Sequence, residues 1–104
     1  MNTENARANW HTTTEIRHAN AAAGEFFFNP DAMRFFRSKV HEPPMGGRYF
    51  VTSEQYKQGT ARRFAIREAQ PNGEIESVSP VLAYRTLGAA RAAVRLILAF
   101  EGMS

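Results

Sequence analysis

The sequence predicts a small α+β domain that consists of a three-stranded antiparallel sheet with an N-terminal and a C-terminal helix, arranged in two layers. Three features predict this fold: a helix start signal at 29–31, alternating segments between 48 and 79, and a long apolar segment at 87–100. The chain has 104 residues, which is about the length of one domain with a single modest core. We therefore expect one folded domain.

The segment 1–24 differs in composition from the rest of the chain. Asn, Thr and Ala dominate it, and Trp10 and Ile16 are its sizeable apolar side chains. A segment with so few apolar groups buries little surface by itself. We therefore predict an N-terminal arm at 1–24, partly flexible or forming a short helix around 14–23, followed by a single α+β domain at 25–104.

The first helix of this domain is predicted to start at the segment Asn-Pro-Asp, 29–31. Asparagine caps helix N-termini, proline fits the first turn, and an acidic side chain favours the positive end of the helix dipole. Met33, Phe36 and Val40 follow at helical spacing, so we expect them to form one buried stripe. The prolines and glycines at 43–47 should end any helix there.

Three segments read as antiparallel strands: RYFVTSE (48–54), ARRFAIREA (61–69) and the residues 74–79 that follow the turn signal QPNG. Side chains alternate between the two faces of a strand. In the second segment Phe64 and Ile66 therefore share one face, and Arg63 and Arg67 share the opposite one. We expect the apolar pair to face the core and the two arginines to point away from it.

The last predicted element is a helix over Leu87–Phe100, with Thr86 as its N-cap. Apolar side chains cover more than half of its circumference and leave Arg91 and Arg95 as a narrow basic ridge. One small sheet does not normally cover so wide an apolar arc. We therefore expect either the N-terminal arm or a second copy of the chain, in a homodimer, to pack against this helix.

Composition excludes several classes of protein. Hydrophobic residues make up 43% of the chain and charged residues 22%, as in ordinary soluble domains. No apolar segment approaches the ~20 residues that span a bilayer, and the polar N-terminal segment lacks a signal-peptide core, so we expect a cytoplasmic protein that does not bind membranes. The lack of cysteine rules out disulfides, thiolate nucleophiles and cysteine-ligated zinc.

The remaining residues show no catalytic or metal-binding pattern. His11, His18 and His41 lack the spacing of metal ligands, and neither Ser38 nor Ser53 lies in a nucleophile elbow. We therefore predict a protein that is not an enzyme and that has no cofactor and no metal site.

The basic side chains are unevenly distributed along the chain. The net charge is +3, but the segment 34–67 holds eight of the 13 bases and only two of the 10 acids. Eight aromatic residues interleave with Arg34, Arg37, Arg48 and Lys57: Phe26, Phe27, Phe28, Phe35, Phe36, Tyr49, Phe50 and Tyr56. Such a mixture can stack bases and hold phosphates, although a core helix and a strand would have the same composition. Partner binding is predicted to use bases of this segment and of the last helix: Arg34, Arg37, Arg48, Lys57, Arg62, Arg63, Arg67, Arg91 and Arg95.

The segment NGEIESVSPVLAYRTLGAARAAVRLIL resembles double-stranded RNA-binding domains, which share the predicted order of helix, three strands and helix. The resemblance implies phosphate contacts from a basic cluster at the start of the second helix. Here that place holds TLGAAR, which supplies only Arg91 with Arg85 just upstream. The Gly-Pro-x-His loop of that family is also replaced, by QYKQGT. Both departures weaken the phosphate contacts that such an interface needs.

A second resemblance is carried by FFFNPDAMRFFRSKV, YFVTSEQ, RRFAIRE and YRTLGAARAA. In this order they resemble a family of small, mostly uncharacterised proteins of bacteriophages and other mobile elements, over roughly 26–93. The resemblance implies a genomic setting and no catalytic residue. Accessory proteins in that setting often bind and block a host machine, as anti-CRISPR and other anti-defence inhibitors do.

Two hypotheses follow from the sequence. The first is a non-enzymatic interaction protein of a phage or mobile element that binds a host protein or nucleoprotein complex, in the manner of an inhibitor of a CRISPR-like defence. The alternative is a direct RNA-binding or DNA-binding protein that uses the same basic residues. Only the second hypothesis requires tight binding of isolated nucleic acid.

Overall fold

The computed structural model describes residues 8–78 and 80–102. Its seven elements, in chain order, are α1 (Thr13–Ala22), α2 (Pro30–Phe35), β1 (Lys39–Met45), β2 (Tyr49–Gln55), β3 (Arg62–Ala69), β4 (Ile75–Val78) and α3 (Leu87–Gly102). The predicted α+β class is confirmed, with helices at both ends of one antiparallel sheet.

In the described part of the chain the sheet has four strands in the order β1-β2-β3-β4, so the predicted count of three is wrong. The predicted strands correspond to β2, β3 and β4, and the additional strand is β1. The register between β1 and β2 shifts between His41 and Met45, where the two prolines lie. Proline is tolerated at an edge strand with such an irregularity because no ladder hydrogen bond depends on its nitrogen.

The helix α2 begins as predicted and ends early. Asn29 caps it, since the Asn29 side chain accepts hydrogen bonds from the backbone N–H groups of residues 31 and 32. The chain then turns at Arg37, whose φ of 50° lies in the left-handed region and cannot continue a helix. Val40 therefore belongs to β1, and Phe36 is 48% exposed. The predicted buried stripe of Met33, Phe36 and Val40 on one helix is wrong.

The two long helices lie on opposite faces of the sheet, so the two-layer prediction is also wrong. On one face, Val51 and Ile66 of the sheet pack against Ala90 and Val94 of α3. On the other face, a second cluster is formed by α1, the segment before α2 and the sheet: Ile16, Phe28, Phe50 and Ala69. The alternation of β2 accounts for both clusters, since Phe50 and Val51 are neighbours on opposite faces.

The helix α1 is an integral part of the packing. A capping box between Thr12 and Glu15 starts the helix, and Ile16 is completely buried. Asn20 is also buried, where it donates to the Gly73 carbonyl at 2.8 Å and accepts from the Phe27 backbone at 3.1 Å. The described part of the predicted arm therefore packs on the face of the sheet opposite α3. It does not cover α3, and residues 1–7 lie outside the described residues.

The helix α3 starts at Leu87, as predicted, and the Thr86 hydroxyl accepts from the backbone N–H of residue 89. Ala90 and Val94 are fully buried against the sheet, whereas Leu96 and Phe100 are 64% and 72% exposed. None of the helices described here is long and apolar enough to cross a membrane.

Candidate functional site

Aromatic and basic side chains gather where the end of α2 meets the turn between β2 and β3. A hydrogen bond of 3.1 Å from the Gln55 N–H to the Phe36 carbonyl joins these two parts of the backbone. We call this region the basic–aromatic end and define it by eight residues: Arg34, Phe35, Phe36, Arg37, Tyr56, Lys57, Arg62 and Arg63. It contains five of the nine bases predicted to bind a partner.

Three aromatic rings of this end are exposed. Phe35 is 76% exposed, Phe36 48% and Tyr56 88%. The rings of Phe35 and Phe36 lie edge to face with centroids 4.9 Å apart. Large apolar side chains that are exposed next to one another on a protein surface commonly mark an interaction site. The sequence pattern placed Phe36 in the core because it extended α2 past the turn at Arg37.

A groove of about 430 Å³ runs beside these rings. Its lining includes the rings of Phe36 and Tyr56, the side chains of Glu54 and Arg63, and Leu82 from the segment after β4. Leu82 has a φ of 56°, a left-handed conformation that is costly for a branched side chain. The fold thus holds Leu82 in a strained conformation at the wall of the groove. No feature of the sequence indicated that Leu82 would line this site.

The basic side chains of this end differ in how firmly they are held. Arg62 donates from Nη1 to the Arg37 carbonyl at 2.7 Å and to the Ser53 hydroxyl at 3.1 Å, so its position is fixed. By contrast, Arg37, Lys57 and Arg63 form no ion pair with any residue in the described part of the chain. These three cations are therefore available to an acidic partner.

Arg34 contributes less to the electrostatics of this end. It pairs with Asp31 one helical turn away at 3.0 Å, and both side chains are largely exposed. An exposed pair of this kind adds little stability, about 0.3–0.5 kcal/mol. Its main effect is to neutralise part of the charge that Arg34 would offer to a partner.

Arg67 is buried, so the expectation that it points away from the core is wrong. The residue is 7% exposed, donates from Nε to the Thr52 hydroxyl at 2.8 Å and also donates from Nη1 to the Ser77 hydroxyl. Its guanidinium lies 3.6 Å from Glu54 and 5.4 Å from the centre of the Phe27 ring. Burial lowers the pKa of Arg67, and the Glu54 carboxylate partly offsets this effect. Arg67 is a structural residue of the α1 side of the sheet.

Arg48 lies at the opposite end of β2 and β3, where it is paired with acids. It donates from Nε to Glu68 at 3.1 Å and lies 3.7 Å from Glu101, which accepts a hydrogen bond from the Tyr49 hydroxyl. The bond to Glu68 raises the pKa of Arg48, and burial raises that of Tyr49 to about 12. We call Arg48, Tyr49, Glu68 and Glu101 the tethered end, because they join the sheet to the end of α3.

The two remaining predicted bases lie on α3, away from the basic–aromatic end. Arg91 donates from Nη2 to the Glu42 carbonyl at 2.6 Å and so links α3 to β1. Arg95 is exposed on the outer side of the same helix. The structure therefore does not bring the nine predicted bases into one surface.

One histidine and one serine meet across β1 and β2. His41 Nε2 and Ser53 Oγ are 2.9 Å apart, but Ser53 is completely buried and its hydroxyl also accepts from Arg62. A nucleophile needs access to substrate, which burial denies here. Burial, followed by the charges of Arg91, Arg62 and Lys39, lowers the pKa of His41. Within 8–78 and 80–102, no group of three or more acidic or histidine side chains could hold a metal ion.

Comparison with known proteins gives one match. The chain belongs to DUF7447, a family of unknown function, whose profile matches residues 12–95. The match starts at the N-cap of α1 and reaches into α3, so it extends beyond the residues at roughly 26–93 that carry the second sequence resemblance. Neither the curated proteins nor the solved structures contain a match to this chain.

Proposed function

We propose that this protein is a non-enzymatic interaction protein that binds another protein through its basic–aromatic end. One observation carries the proposal: Phe35 and Tyr56 are exposed beside cations that have no acidic partner within the described residues. Transfer of an exposed aromatic ring from water into an apolar interface is favourable. A cation without an ion pair can form one with a carboxylate of another protein. Binding a partner would satisfy both groups at once.

The chemistry of this end indicates the kind of partner. Aromatic residues and arginine are the types that dominate the energy of protein interfaces when they enter a partner's pockets. Arg37, Lys57 and Arg63 require acidic groups at the rim of the partner's surface, where opposite charges speed association. The groove beside Tyr56 offers room for one apolar side chain of that partner. The expected partner surface is therefore acidic around an apolar centre.

The setting of this function follows from the sequence resemblance to proteins of bacteriophages and mobile elements. In that setting the partner is a host protein or nucleoprotein complex, such as a CRISPR-like defence complex, and the protein acts in the host cytoplasm as an inhibitor. Inhibition by steric blocking requires a binding surface but no catalytic residues. An acidic surface on a nucleic-acid-binding machine would be unusual, so we expect the contact to lie outside its nucleic-acid channel.

A second candidate function is direct binding of single-stranded nucleic acid. The observation that favours it is the same neighbourhood of exposed rings and cations, because bases stack on aromatic side chains while cations follow the backbone. The resemblance to double-stranded RNA-binding domains adds less, since Arg91 donates to Glu42 and lies away from this end. The two candidates make opposite predictions for isolated nucleic acid.

A pair of charge-reversal variants tests the proposal. Lys57→Glu with Arg63→Glu alters the basic–aromatic end, and Arg85→Glu with Arg95→Glu changes the total charge equally at exposed positions outside it. We expect the tagged protein and the control variant to retain a protein from nuclease-treated host lysate, and the Lys57/Arg63 variant to lose it. Retention by both variants would contradict the proposal.

Isolated oligonucleotides separate the two candidates. Phosphate contacts make affinity fall by orders of magnitude between about 50 and 200 mM salt. We expect weak binding at low salt that disappears over this range. Tight binding at about 200 mM that is lost in the Lys57/Arg63 variant would favour the second candidate over the first.

A further inference from the structure

We propose that the outer face of α3 pairs with the same face of a second copy of this chain in an antiparallel homodimer. The outer face consists of six residues that lie within about one third of the helix circumference and are all exposed: Gly88, Ala89, Ala92, Leu96, Ala99 and Phe100. Leu96 and Phe100 remain 64% and 72% exposed. This surface is separate from the basic–aromatic end, so the inference does not rest on the proposed function.

Nothing in the described part of this chain covers the outer face. The helix α1 packs on the other side of the sheet, with Ile16 in the cluster around Phe50. The chain before α1 passes the turn between β1 and β2, where the backbone N–H of Trp10 donates to the Gly47 carbonyl at 2.7 Å. The residues before it, MNTENAR, are polar except for Met1 and Ala6, so they are poorly suited to an apolar surface.

The absence of charged side chains from the outer face limits the kind of partner that can bind there. No charged side chain lies within it, and Arg95 stands at its margin. A nucleic acid or a strongly charged protein would find no complementary group there. A uniformly apolar helix face fits another apolar helix face, and a second copy is the one such surface that is always present at the concentration of the protein itself.

The face is complementary to itself in size. When two copies of α3 run antiparallel with the two-fold axis crossing the outer face at the level of residue 94, Leu96 lies opposite Ala92 of the second copy. In the same register, Phe100 lies opposite Gly88 and Ala89 lies opposite Ala99. Each large side chain thus meets a small one, so the helices can approach closely with both rings buried. A two-fold interface requires this kind of self-complementarity, because every contact occurs twice.

Cysteine cross-linking tests the register directly, since the natural chain has no cysteine. In the proposed dimer Ala89 of one copy faces Ala99 of the other, within reach of a disulfide of about 4.4–6.8 Å between Cα atoms. Two copies of Ala89, or two copies of Ala99, are about 15 Å apart along the helix, at ~1.5 Å per residue. We therefore expect differently tagged Ala89→Cys and Ala99→Cys chains to form a mixed disulfide, and neither variant to cross-link with itself.

Light scattering on a dilution series provides the second measurement. The full-length protein should be a dimer that dissociates on dilution, and Leu96→Glu should be a folded monomer at every concentration, because Leu96 is exposed within one copy. Its melting temperature should equal that of the wild type at dilutions where the wild type is also monomeric, since association stabilises only the dimer. Val81→Glu, at another exposed apolar residue, should remain a dimer. A wild-type monomer at every concentration, an equal effect of both variants, or self-cross-linking as efficient as mixed cross-linking would overturn the inference.

Discussion

The two ends of the strands β2 and β3 carry similar residue types and differ in the acids beside them. At the tethered end, Arg48 is paired with Glu68, and the Tyr49 ring is buried with its hydroxyl bound. At the basic–aromatic end, Arg63 has no ion pair within the described residues, and the Tyr56 ring is 88% exposed. The polar groups of the tethered end are therefore paired within the fold, whereas those of the basic–aromatic end remain available to a partner.

This difference shows why the number of bases along a chain does not locate a binding surface. Removal of an arginine that is paired with a largely buried carboxylate lowers stability, because the carboxylate is left without its partner, and the charge of such a pair is largely cancelled for any external partner. An arginine without such a partner contributes little to stability and most to association. The distinction predicts that substitutions will separate the two ends, with large effects on the melting temperature at one end and on binding at the other.

The largest loss of stability is expected for Arg67→Leu, in the interior between the two ends. The substitution removes the buried donor for Thr52 and Ser77 and leaves the Glu54 carboxylate without its cation. Loss of one member of a buried network costs about 3–5 kcal/mol. Urea unfolding should show this loss in Arg67→Leu and almost none in the matched control Arg63→Leu, on the same strand face. Equal stability of the two variants would refute the structural assignment of Arg67.

A smaller loss is expected for Arg48→Ala at the tethered end. The Glu68 carboxylate, which is 18% exposed, would lose its two hydrogen bonds from Arg48. Hydrogen bonds that involve charged groups contribute about 1.5–3 kcal/mol. Thermal unfolding monitored by circular dichroism should detect this decrease, and the exposed Arg95→Ala should melt like the wild type. If Arg48→Ala has no effect, the pairing at this end does not tether α3 to the sheet.

Arg63 and Arg67 show how far the sequence could predict the site. Strand alternation places both on one face of β3, and the register confirms this, since each lies opposite a β2 residue of the α1 side. Alternation does not reveal that Phe27, from a distant segment, covers Arg67 and leaves Arg63 in water. Burial of a single residue depends on long-range packing, which a local pattern does not contain.

The same limit applies to the fold. The strands β2, β3 and β4 and the helix α3 followed from alternation, turn residues and an apolar arc, which are local signals. The strand β1 was missed because Val40 continued the helical spacing of α2 and the following prolines indicated a break. Its strand conformation depends on pairing with β2, a partner that lies elsewhere in the sequence.

Acidification is expected to lower stability through His41. The pKa of His41 is lowered in the folded state by burial and by Arg91, Arg62 and Lys39, so the unfolded chain binds its proton more readily. The contribution of neutral His41 to the free energy of unfolding is complete above the ordinary histidine pKa of about 6.5. It is lost as the pH falls from there towards the lowered pKa of the folded state. The melting temperature should therefore fall more between about pH 7 and pH 5 in the wild type than in His41→Gln. Parallel curves would mean that the folded state does not disfavour the imidazolium.

The smallest effect on stability is expected at the basic–aromatic end. Lys57→Glu with Arg63→Glu changes two exposed side chains that have no ion pair within the described residues. Surface substitutions of this kind stay within about 0.5 kcal/mol of the wild type. Differential scanning calorimetry should give nearly superimposable transitions. A loss as large as that of Arg48→Ala would show that these charges, like those of the tethered end, maintain the fold.

Photo-cross-linking tests the central claim, that the basic–aromatic end is the surface on which a protein partner binds. A photoreactive phenylalanine analogue replaces Tyr56 in one variant and Phe26 in another, since Phe26 is 79% exposed but belongs to neither end of the two strands. After irradiation in nuclease-treated host lysate, we predict a single protein adduct with the probe at 56 and none with the probe at 26. An adduct at 26 without one at 56, or cross-linking at 56 only to nucleic acid in untreated lysate, would contradict the account.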